Sequence, residues 1–167
     1  MTIYSTLKEG KMKNHKGFTL VECMSCMMIL SLLSALTAPV LKTMRQRTIF
    51  HREVAMLVHG LQEAKVIAIK RNCFVVLTIT NSGYKIFVDN GENNGTSGDW
   101  IRQKSEKIIL DHAIPAVIRM ATTFPEKRTR FNGKIGNTAG RIILTDSIGK
   151  RTEVVVNVTG RIRVQQT

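Results

Sequence analysis

Between Phe18 and Leu41 the chain carries one charged side chain, Glu22, and the next is Lys42. A helix crosses a hydrocarbon core with about 20 apolar residues, so this run is long enough to span one. A carboxylate five residues into such a run is costly unless it meets a partner. The run therefore predicts a chain held first in a membrane, with Glu22 set later against a positive group.

The residues at the head of the run are Lys16-Gly17-Phe18-Thr19-Leu20-Val21-Glu22. A basic residue, Gly, then Phe-Thr-Leu-x-Glu and an apolar helix resembles the class III signal of type IV pilins and pseudopilins. The resemblance implies that a prepilin peptidase cuts between Gly17 and Phe18, and that the new N-terminal Phe18 is methylated. Glu22 would then be the fifth mature residue. Cleavage also makes chemical sense: it creates an amine at Phe18, one helical turn from Glu22. In a polymer the amine of a neighbouring subunit could neutralise that carboxylate. The alternatives are a plain membrane anchor or a Sec signal peptide. A Sec signal has a shorter apolar region, with its small-residue cleavage site after it. Here the small residue comes first.

The 17-residue leader carries Lys8, Lys11, Lys13 and Lys16 against Glu9. That positive flank holds it on the cytoplasmic side. Met12 offers a second start, with a shorter leader. The formal charge is +13, and about +10 remains once the leader is removed. Charge of this size attracts a polyanion, either nucleic acid or an anionic surface. Lys42 to Arg71 holds seven basic and two acidic residues, Asn72 to Asp111 four and five, and His112 to Thr167 ten and three. Anchoring beside a membrane explains the first excess. It does not explain the last.

Composition and motifs argue against an enzyme or a metal protein. Cys23 and Cys26 lie in the apolar helix, where they read as small packing residues. Cys73 has no mate in the head, so no disulfide is expected. His51 and His59 lack the four-residue spacing of a helical metal pair. No nucleophile elbow, P-loop or dinucleotide fingerprint is present. No cofactor is expected. Asn157-Val158-Thr159 matches a glycosylation sequon without weight.

The length suits one anchor and one modest domain. Residues 1–17 read as leader, 18–41 as the transmembrane or filament-core half of a helix, and 42–167 as a globular head. The helix continues to about Arg71, with a kink or loosened turn expected at Pro39. Val54, Leu57, Val58, Leu61, Ala64 and Ala68 form an apolar stripe meant to pack on a sheet. Arg52, Glu53, Glu63 and Lys70 are expected on the opposite side. Strands are expected over 73–164. Phe74–Thr80 and Tyr84–Val88 flank Asn81-Ser82-Gly83, a hairpin signal. Others fall at Ala116–Met120, Arg128–Phe131, Arg141–Thr145, Thr152–Thr159 and Arg161–Val164. Asp89 to Asp99 is a Gly-rich loop, and Trp100 at its end reads as a hydrophobic plug. Ser147 to Lys150 makes a turn.

This α+β layout, a long N-terminal helix followed by small antiparallel sheets, resembles the pseudopilins and minor pilins of the GspH/FimT family. Glu63 to Asn72 resembles the helix end of that group. Gly160-Arg161-Ile162-Arg163-Val164 resembles the Gly-Arg-x-Arg signature of FimT-like minor pilins that bind DNA in natural transformation. The resemblance implies other pilins as filament partners, and an inner-membrane subunit with a periplasmic head that later enters a pilus or pseudopilus. It fits a GspH-like pseudopilin of type II secretion, or a minor pilin acting only in assembly, as alternatives.

Alternation in a strand puts Arg161 and Arg163 on one face, about 7 Å apart, which matches successive phosphates in an extended backbone. Ile162 and Val164 are expected to turn inward, with Val154, Val156 and Val158. The planar fork of Arg donates two parallel hydrogen bonds to phosphate. Lys150 and Arg151, at a hairpin tip, are the next DNA-binding candidates. Lys127, Arg128 and Arg130 form a further basic cluster. The last third offers only Phe124 and Phe131 for stacking, so phosphate-led, sequence-independent binding is expected rather than base reading.

Overall fold

The computed structural model describes residues 17–91, 96–132 and 138–166. Residues 1–16 of the leader, Lys134 and Thr167 fall outside them. Two compact units divide the chain near Met44. Helix α1 runs from Leu20 to Arg71 and continues through Pro39.

In the first unit the α1 side chains are exposed, many of them large and apolar. This helix is long and apolar enough to cross a membrane. Its few hydroxyls are turned back onto the helix: Ser25 donates to the Val21 carbonyl, Ser34 to Leu30 and Thr43 to Val40. A hydroxyl satisfied by its own backbone adds little polar surface to an apolar rod.

The second unit is the head, built among the described residues from the rest of α1 and eight strands. These are β1 Phe74–Ile79, β2 Gly83–Asp89, β3 Ile108–Ala113, β4 Ile118–Thr122, β5 Arg128–Phe131, β6 Gly140–Asp146, β7 Arg151–Val156 and β8 Ile162–Gln166. They form two antiparallel sheets, ordered β3-β2-β1-β5 and β4-β6-β7-β8. Phe50, Leu57, Leu61, Ala64 and Ala68 of α1 join the inner faces of both sheets in one core. The expected stripe is there, with Val54 and Val58 at its margin.

Four expectations need correction. Glu53 is not on the polar side; it is 6% exposed. It lies four residues before Leu57, which places it on the buried stripe by helical geometry. Its charge is met by His112, whose Nε2 is 2.6 Å from Oε2. The Tyr84 ring lies beside the His112 ring, 5.5 Å between centroids. Burial, and then the Glu53 charge, push the Tyr84 hydroxyl well above its ordinary pKa. Second, β3 was not expected at all. Third, Trp100 is no plug. Its ring lies 4.5 Å beneath the Arg130 guanidinium, which also covers Phe74 at 4.7 Å. Cation–π contact of this kind ties the loop to the sheet. The Asp89 carboxylate accepts from the Gly98 and Trp100 amides, at 2.7 and 3.1 Å, and completes the anchor. Fourth, β7 stops at Val156, so Val158 sits in the following turn and is 52% exposed.

Candidate nucleic-acid interface on the second sheet

Two regions carry the candidate residues. At the start of α1, Phe18 is exposed. The Thr19 amide and hydroxyl both donate to Glu22 Oε2, at 2.8 and 2.9 Å, and the Glu22 amide donates to the Thr19 hydroxyl at 3.3 Å. This is a capping box, Thr-x-x-Glu, which satisfies amides that a helix start leaves open. The spacing was visible in the sequence, although Glu22 was read there only as a charge awaiting a partner. Among the described residues its carboxylate meets no cation.

The second region is the outer face of sheet β4-β6-β7-β8. Strand pairing sets Arg163 of β8 across from Val155 of β7, and Val155 across from Arg141 of β6. A second row sets Arg151 of β7 across from Thr145 of β6, and Thr145 across from Arg119 of β4. Directly opposed residues share a face. Arg163, Arg141, Arg151 and Arg119 thus project from one surface, and all four are exposed. Within each row the arginines stand two strands apart, about 10 Å; the rows are four residues apart, about 13 Å.

Arg161 precedes β8 and extends the same register, its carbonyl accepting from the Asn157 amide at 3.0 Å. The turn that delivers it needs Gly160, which is buried and takes a φ of +70°. Left-handed backbone of this kind is open to glycine at little cost. Arg161 and Arg163 are both exposed, on one side of the chain. Ile162 turns inward and packs against the core. Val164 was expected to do the same, yet it is 44% exposed. It faces inward opposite Val154, but β8 is an edge strand and leaves one flank uncovered.

Lys150 and Arg151 part company. Arg151 joins the outer face. Lys150 belongs to the opposite side by alternation, and its Nζ lies 3.1 Å from His51 Nε2 on α1. Lys127, Arg128 and Arg130 belong to the other sheet or its approach. Lys127 bonds Asn81, Arg128 bonds the Trp100 carbonyl, and Arg130 lies over Phe74 and Trp100. They serve the head's own loops. Arg119 and Arg141 are the residues that sequence reasoning missed.

One acid stands among these cations. Glu153 of β7 occupies the row between the two arginine rows and is 7% exposed. Its Oε1 accepts from Arg151 Nη2 at 2.7 Å and its Oε2 from Arg141 Nη1 at 3.3 Å. Burial raises its pKa, but the hydrogen bonds and charges of the two arginines outweigh burial and hold it below the usual value. A lowered folded pKa stabilises above the ordinary carboxylate range and loses that effect as the pH falls through the lowered value. The melting temperature of the wild type should therefore exceed that of Glu153→Gln near neutral pH. The gap should close on acidification below the carboxylate range.

A long apolar helix feeding a head of antiparallel sheets is the type IV pilin-like fold, and comparison with known proteins agrees. The type IV minor pilin FimU of Pseudomonas aeruginosa superposes with a TM-score of 0.51 at 13% identity, covering 72% of this chain and 88% of that one. The minor pseudopilin EpsH from the type 2 secretion system of Vibrio cholerae gives a TM-score of 0.48 at 9% identity, over 74% and 95%. No curated protein matches the sequence. The family model described as type II transport protein GspH matches residues 53–160, and the prokaryotic N-terminal methylation motif matches residues 12–38. The chain belongs to the GspH family of pilin-like subunits.

Proposed function

We propose that this chain is a minor type IV pilin that captures extracellular DNA on the arginine face of its second sheet, for uptake in natural transformation. The observation that carries this reading is the shared outward face of Arg119, Arg141, Arg151 and Arg163, prolonged by Arg161. Binding is led by phosphate, because the arginines are spread over several strands without exposed rings between them. The leader is removed between Gly17 and Phe18 by a prepilin peptidase, and Phe18 is methylated. The subunit waits in the inner membrane with its head in the periplasm. Glu22 then meets the Phe18 amine of a neighbouring pilin as the filament grows.

A second reading, a GspH-like pseudopilin of type II secretion, is favoured by the family match over residues 53–160. Binding measurements separate the two. The full-length protein in detergent micelles is titrated with labelled duplex DNA over a series of salt concentrations. Each phosphate neutralised contributes about 0.9 to the slope of log K against log salt. Replacing Arg161 and Arg163 together by Gln should flatten that slope by about 1.8. Wild-type protein that fails to bind at low salt would favour the secretion reading.

A further inference from the structure

Glu153 is at odds with a surface made for phosphate. It is the single carboxylate in the three outward rows, and it is rooted in the sheet. Its two oxygens take one guanidinium each, from neighbouring strands. A phosphodiester likewise presents two anionic oxygens, and it would draw the same donors. Arg119, Arg161 and Arg163 make no ion pair among the described residues. The face is therefore divided into three open arginines and two that are already engaged.

We infer that Glu153 is a built-in competitor for DNA phosphate, which keeps Arg141 and Arg151 closed until a bound strand draws them off. This rests on the DNA-binding reading and concerns its regulation. The side chains of Arg141 and Arg151 are 58% and 47% exposed, so their guanidiniums are free to swing outward. Glu153 is not free to follow. Each arginine that turns to phosphate leaves the carboxylate more poorly paired and still desolvated. A buried charge stripped of its partner is costly, and that cost is subtracted from the affinity for DNA. Encounter thus begins on Arg119, Arg161 and Arg163. Full engagement follows only where the phosphate density outbids the carboxylate.

The test uses full-length protein in detergent micelles, with labelled duplex DNA across a salt series. Glu153→Gln should bind more tightly than wild type, with a salt slope steeper by about 1.8 for the two arginines released. Adding Arg141→Gln and Arg151→Gln to that variant should abolish the gain. Thermal melts confirm that each variant is folded, and Glu153→Met replaces Glu153→Gln if the latter is not. Wild-type binding with Glu153→Gln unchanged or weaker overturns the inference and leaves the DNA reading standing. Absence of binding by both overturns the two together. Binding by the variant alone overturns the DNA reading and the inference with it, because Arg119, Arg161 and Arg163 should already hold DNA in the wild type.

Discussion

Gly17→Val is expected to leave the leader attached to every copy of the chain. The measurement is the intact mass of protein purified from cells that contain a prepilin peptidase. Wild type should lose residues 1–17 and gain a methyl group on Phe18; the variant should keep its full mass. Among the described residues a Cβ at Gly17 meets no atom within 4 Å, so the substitution does not strain the described part of the fold. Any failure of processing then belongs to recognition at the cut. The consequence reaches further than the leader. Without cleavage no amine forms at Phe18, so a neighbouring Glu22 has no cation to meet, and the unprocessed subunit should be missing from filaments. Normal trimming of the variant between residues 17 and 18 would refute the role given to Gly17. Cleavage C-terminal to the apolar run in wild type would instead indicate a Sec signal.

Leu57→Ala should cost the head about 2–5 kcal/mol, the range for large-to-small changes in a closed core. Leu57 is fully buried on α1, where the helix meets both sheets. A cavity there cannot collapse easily, because Phe50, Leu61 and Ala64 hold the helix on either side. Chemical denaturation, followed by the sheet signal in detergent micelles, gives the comparison. Ile69→Ala is the control, since Ile69 is exposed on the same helix and should change stability by less than about 0.5 kcal/mol. Equal effects at the two positions would mean that the α1 stripe does not organise the core.

What was legible in the sequence was whatever depends on near neighbours. The long apolar helix follows from a run of apolar residues, the helix stripe from spacing of three and four, and the facing of Arg161 and Arg163 from alternation. Charge misled at Glu53, because a carboxylate on the stripe is buried only if a partner arrives, and His112 lies 59 positions away. β3 escaped notice because it is an edge strand with a weak alternation, Ile-Ile-Leu-Asp-His-Ala. The arginine face was half visible. Arg119 joins it only because β4 pairs with β6, passing over β5, which belongs to the other sheet. No local pattern encodes that choice. Lys150 failed as a neighbour of Arg151 for a reason that was available: adjacent residues of a strand point to opposite sides.

The pairing of buried Glu53 with half-buried His112 bears on how a subunit withstands traction. Any pull transmitted along α1 must be handed to the sheets, and apolar contacts alone permit a helix to slip lengthwise. The 2.6 Å link between Glu53 on α1 and His112 on β3 resists slippage, since sliding α1 by even one turn would leave a buried carboxyl group without its partner. The helix and β3 are thereby pinned in one register.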